Sequence, residues 1–239
     1  MPKFAVYYVP DPEEEFYRLG SVILGYDVWK REITDLPDHL AEKFSKFENY
    51  NNNWIKYSRP YGFHLTIGDA INYDPENLNS ICEEVEGILS CFDPDKKFIL
   101  TRKDSDFVSF WPVKEGFGVV LRYDPNEYLN IFHAVISTRI HSLGFGSVYT
   151  EDYELNPDLY TGKPHIVNKV RKFFSPTILD SYKPHFTLLN PYPGKFRENL
   201  SEFFTEIFGK FQKISINSIC LLLQMSEKEN WFVHRKFPR

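Results

Sequence analysis

Two short segments of this 239-residue chain pair an imidazole with a hydroxyl: His64-Leu65-Thr66 and His185-Phe186-Thr187. Alternate residues of a β-strand share a face. Each histidine and threonine therefore point one way, while Leu65 or Phe186 anchors the strand from behind. A free imidazole titrates near pH ~6.5, so both of its protonation states exist around neutrality. A neutral histidine can take a proton from attacking water, and a protonated one can give a proton to a leaving oxygen. Threonine hydroxyls can hold the non-bridging oxygens of a phosphate. Two such pairs around one cleft would suffice for phosphodiester hydrolysis without a metal or other cofactor. A lone histidine is weak evidence, because most are core or surface residues. Here the weight comes from repetition.

The surroundings repeat as well. After His64-Leu65-Thr66-Ile67 come a turn-like stretch and Glu76-Asn77-Leu78; after His185-Phe186-Thr187-Leu188 come a Pro/Gly-rich stretch and Glu198-Asn199-Leu200. Each Glu-Asn-Leu opens an amphipathic helix. The first shows an apolar face of Leu78, Ile81, Cys82, Val85, Ile88 and Leu89; the second, of Leu200, Phe203, Phe204, Ile207, Phe208 and Phe211. Strand-rich segments follow each helix: Phe98 to Thr101, Phe107 to Val113 and Gly118 to Tyr123 in the first copy, Ile214 to Met225 and Trp231 to Phe237 in the second. The pattern predicts a diverged internal duplication, each copy a strand–helix–strand–strand unit. The expected fold is α+β: one bilobal domain over 1–239 around a central cleft, with a first-motif lobe near 50–125 and a second near 176–239.

Other segments complete the lobes. Lys3 to Val9 reads as a buried strand. Asp11-Pro12 and Glu13 to Glu15 form a helix-start signature, with Gly25 as its stop. Leu40, Phe44 and Phe47 give a short helix after Pro37, and Asn49 to Asn53 reads as a loop. Asn126 to Leu143 is a helix opened by Asp124-Pro125 and closed by Gly144. Tyr149 to Thr161 reads as a long polar surface loop, and residues 163–174 as a basic helix. Lys163, Lys169, Arg171 and Lys172 on that helix read as a solvated face, with a substrate-facing wall as the alternative.

Composition narrows the classes. With 22 Phe and 15 Tyr the chain can fill a core and is no disordered segment. A net charge of −5 lacks the basic surface of a binder of long nucleic-acid duplexes, but a small anion needs only a local positive site. Three cysteines without a C-x-x-C pair give neither a disulfide framework nor a zinc knuckle. The N-terminus turns acidic before any long apolar run, and no apolar stretch would span a bilayer, so a cytoplasmic protein without a membrane partner is expected.

Arg59, Tyr61, Tyr182 and Lys183 stand just upstream of the two histidines, where they can bind phosphate or stack on a base; ordinary loop packing is the plainer alternative. His39, His133, His141, His165 and His234 lack the His-x-Thr context and read as structural or surface residues. A metal site is disfavoured, because two histidines rarely close one and no Cys/His/Asp cluster completes it.

The pair HLTI and HFTL resembles the 2H phosphoesterase superfamily, whose members carry two His-x-Ser/Thr-hydrophobic motifs in a bilobal α+β fold. The likeness runs over nearly the whole chain. FAVYYVPDPEEEFYRLGSVILGYD and the later YGFHLTI also resemble the bacterial branch found near phosphonate-utilisation genes. The second half departs from that branch, with Pro184 before His185 and Leu189-Asn190-Pro191 soon after Thr187. The resemblance implies catalysis by His64, Thr66, His185 and Thr187 on a small phosphorylated substrate: a nucleotide, a sugar cyclic phosphate or an RNA end. A phosphate- or RNA-end-binding module with the same pocket and no turnover is the alternative.

Overall fold

The computed structural model describes residues 1–47 and 52–239. Strands form where large apolar and β-branched residues cluster. They are β1 (Lys3–Tyr8), β2 (Tyr26–Asp27), β3 (Glu32–Ile33), β4 (Leu65–Asn72), β5 (Phe98–Arg102), β6 (Val108–Val113), β7 (Gly116–Pro125), β8 (His185–Tyr192), β9 (Lys213–Ile216), β10 (Ser218–Gln224) and β11 (Phe232–Pro238). The helices are α1 (Glu15–Leu24), α2 (Asp38–Ser45), α3 (Leu78–Ser90), α4 (Glu127–Arg139), α5 (Val148–Leu155), α6 (Pro164–Phe173) and α7 (Arg197–Phe208). The fold is α+β. β2 and β3 pair by themselves; the other described strands form one antiparallel sheet ordered β11-β10-β1-β4-β8-β7-β5-β9, with β6 on β7.

β4 and β8, which carry the two motifs, meet in the middle of that sheet through a single residue pair, Leu65 with Phe186. The order after each motif is the same: β4-α3-β5-β6-β7, then β8-α7-β9-β10-β11. The sheet neighbours, however, cross over. β7 of the first run pairs with β8, and β10 of the second reaches β4 through β1. The sheet thus interleaves the two runs.

Helix α1 packs behind the central strands. Phe16 of α1 sets its ring 4.9 Å from that of Phe186 and 5.0 Å from that of Phe63. Gly25 ends α1 in the left-handed region at φ 68°, a conformation that costs glycine little. α4 is capped by Asn126, whose side chain accepts from the Leu129 N–H, so Asp124-Pro125 belongs to β7 rather than to the helix start.

Three local expectations need correction. Asp11 to Glu14 forms a turn ahead of α1, with the Glu14 N–H on the Asp11 carbonyl. Residues 149–161 are largely helical: Ser147 and Thr150 form a capping box that starts α5, and a 3-10 turn follows at Pro157–Tyr160. α5 has little apolar periodicity, so the helix leaves a weak trace in the sequence. Of the loop expected at Asn49 to Asn53, residues 49–51 lie outside the described residues, and Asn52–Ile55 is a 3-10 turn.

Candidate active site

The Leu65–Phe186 pair fixes the geometry of both motifs. Its antiparallel register sets His64 across from Thr187 and Thr66 across from His185. Leu65 and Phe186 are fully buried behind the strands, while the four polar side chains are partly exposed in front. They line two adjoining hollows of about 340 and 470 Å³ that share Thr66, Asp69 and Tyr149. His64 and Thr187 line the first, His185 the second. The combined cleft falls in the size range of small-molecule sites, roughly 300–1,000 Å³.

Both imidazoles are tethered alike. His64 Nδ1 lies 3.0 Å from the Gly62 carbonyl oxygen, and His185 Nδ1 lies 2.8 Å from that of Lys183. A carbonyl only accepts, so each Nδ1 carries a proton and each Nε2 is the nitrogen that titrates. Burial lowers the His64 pKa to about 4; the Gly62 hydrogen bond opposes this and the nearby His185 adds to it. Burial also lowers His185, with the Lys183 carbonyl opposing and Arg122 contributing. Both rings are therefore mostly neutral at pH 7.

Aromatic rings hold these groups in place. Tyr7 stacks on His64 with centroids 4.0 Å apart and planes 14° apart. Trp111 lies 4.4 Å from His185. Arg122 of β7 stands opposite His185 and is ion-paired with Asp106. Tyr182 stacks on His133 at 3.5 Å and donates its hydroxyl to the Thr66 carbonyl, 3.0 Å away.

Of the four expected substrate-binding residues, Tyr61, Tyr182 and Lys183 line the cleft. Arg59 does not. Its Nε donates to the Leu24 carbonyl, 3.3 Å away, so the guanidinium serves the C-terminal end of α1. Lys169, read as part of a solvated helix face, is buried and bonds Asp180 and Ser181, which ties α6 to the segment before the second motif. His133 is buried as expected of a structural residue, but it also lines the second hollow. Its Nδ1 donates to the Ile67 carbonyl at 2.7 Å.

Sequence reading missed Tyr7, Asp69 and Tyr149. Period-two alternation from His64 and Thr66 would put residues 68 and 70 in the cleft. Ala70 does line the first hollow, but the β1–β4 register slips at Val6–Gly68 and Asp69 turns forward as well. Gly68 permits this, since a Cβ there would sit 2.6 Å from Ile140, just past the end of α4, and 3.1 Å from Ile136 within it. Among the described residues, no group of three or more His, Cys, Asp or Glu side chains is placed to hold a metal ion, and no helix is long and apolar enough to cross a membrane.

Buried neutral histidines make stability depend on pH. Burial holds both His64 and His133 near about 4, against about 6.5 in an unfolded chain. Their contribution is complete above pH ~6.5 and is lost as pH falls toward about 4. Calorimetry should show Tm falling across that window, by roughly 2–4 °C for each kcal/mol lost. His133→Gln, which can still donate to Ile67, should decline less steeply. Identical slopes for variant and parent would contradict this.

No family model matches the chain, and no curated protein matches it by sequence. Solved structures that resemble it include Usb1 of Kluyveromyces marxianus, at 5% identity and a TM-score of 0.46, covering 100% of this chain and 98% of that one. A second is the same protein with uridine monophosphate, at 7% identity and a TM-score of 0.40 with the same coverage. Likeness at this level assigns no family to the chain.

Proposed function

We propose that this protein is a metal-independent phosphoesterase of the 2H type, working in the cytoplasm on a nucleotide or sugar cyclic phosphate such as a 2′,3′-cyclic phosphate. One observation carries the reading: the two His-x-Thr motifs meet at the Leu65–Phe186 pair, so each histidine faces the other motif's threonine across one cleft. The identical Nδ1 tethers support it, because they reserve both Nε2 atoms for proton transfer. The resemblance of HLTI and HFTL to the superfamily motifs points the same way. The phosphonate-associated branch rests on the N-terminal stretch and YGFHLTI alone.

In this scheme Thr66 and Thr187 donate to the non-bridging oxygens. One neutral Nε2 takes a proton from water as the water oxygen attacks phosphorus. The bond from phosphorus to one ribose oxygen breaks, and that oxygen takes a proton from the other, protonated Nε2. An anionic phosphate between the rings raises both imidazoles from their depressed values, so one becomes charged as substrate binds.

The test is the pH profile of cyclic-phosphate turnover, measured over a panel of 2′,3′-cyclic nucleotides, 2′-5′ dinucleotides and ADP-ribose cyclic phosphate. A base works above its pKa and an acid below its own. Both free-enzyme values lie under the usual ~6.5. The kcat/KM bell should therefore peak below pH ~6.5, and the kcat bell, which reports the bound state, should lie at higher pH. A kcat/KM optimum well above neutrality would refute the assignment. Binding without turnover across the panel would favour the binding module.

A further inference from the structure

Asp69 stands where the two hollows of the cleft join, and the phosphate chemistry above gives it no role. Its Oδ2 accepts two hydrogen bonds, from the hydroxyls of Ser175 and Thr177. Those occupy that oxygen. Oδ1 takes none from the described residues; with Asp69 partly buried and lining both hollows, it is the acceptor left for a ligand there.

An acceptor-only carboxylate repels a phosphate. The anion thus belongs with the threonines and imidazoles, and Asp69 must meet a donor. Its neighbours are flat. Tyr149 borders both hollows, Tyr61 the first and Tyr182 the second. The Asp69 charge is the largest cause raising the Tyr149 phenol, and it also raises Tyr61 and Tyr182, which places all three rings around it. Aromatic walls of this kind stack on a nucleobase, worth about 1–3 kcal/mol per base.

We propose that Asp69 and these tyrosines form a base-reading subsite that prefers nucleotides with an exocyclic amino group over uracil. The subsite rests on the phosphoesterase reading for its choice of a nucleotide ligand. Guanine, adenine and cytosine can each present an amino N–H to Oδ1. Uracil's base edge has one donor, the ring N3–H, and it is flanked by two carbonyl oxygens that a carboxylate repels, so its bond to Oδ1 is the poorer one, a difference that specificity sites exploit.

Equilibrium binding of the 3′-monophosphates of guanosine, adenosine, cytidine and uridine tests this without requiring turnover, read by tryptophan fluorescence or calorimetry. The three amino-bearing nucleotides should bind at least about tenfold tighter than the uridine nucleotide, equivalent to about 1.4 kcal/mol. Asp69→Ala should shrink that ratio to about two. Equal affinities for all four in the parent protein, or tightest binding of the uridine nucleotide, would overturn the subsite even if the variant does not fold. Failure to bind any of the four at millimolar concentration would overturn it too. Base-dependent binding without hydrolysis of any cyclic nucleotide would support the subsite while refuting the phosphoesterase reading.

Discussion

His64→Ala and His185→Ala should each lower kcat/KM on a cyclic phosphate by about 10²–10⁴-fold, the span of a lost general acid or base. Each ring is held by its own backbone tether, so removing one leaves the other in place but without a partner for proton transfer. The double variant should fall well short of the product of the two losses, because groups that act as a unit are not additive. Thr66→Val and Thr187→Val keep the shape and remove one phosphate donor each, and should lose less. Circular dichroism must confirm folding, since Tyr7 and Trp111 pack against the imidazoles. Folded single variants with parental turnover would mean the chemistry lies elsewhere.

Phe186→Ala should be the most damaging of the core changes near the site. The ring is fully buried and touches those of Tyr8, Phe16, Phe63 and Tyr123, at centroid separations from 4.9 to 6.2 Å. Loss of a buried Phe costs about 3–5 kcal/mol. For a chain of this size that is a Tm drop of roughly 6–20 °C. Activity should fall below that of the parent even at temperatures where the variant is folded, because Phe186 lies between His185 and Thr187 and forms the bridge to Leu65. A shift of only a degree or two in thermal unfolding would contradict the packing described.

The motifs and most elements were legible because their periodicities are strong. The helices α3 and α7 carry unbroken apolar faces, and β4 and β8 alternate buried and half-buried residues through their motifs. What could not be read was whatever depends on partners distant in sequence. The register slip that turns Asp69 forward is set by β1 and by the approach of α4 at Gly68. Tyr149 reaches the cleft from a polar helix with little apolar stripe. Arg59 sits five residues before His64, yet its side chain turns to the end of α1, which proximity along the chain does not reveal. The crossing of β7 and β10 between the halves also follows from sheet pairing rather than from local pattern.

The most direct measurement is ³¹P NMR of a 2′,3′-cyclic nucleotide incubated with the protein in excess EDTA. Paired-histidine chemistry predicts that the cyclic phosphate signal is replaced by that of a single monophosphate monoester, at a rate the chelator leaves unchanged. Complete loss of turnover in EDTA, restored by zinc or manganese, would contradict it.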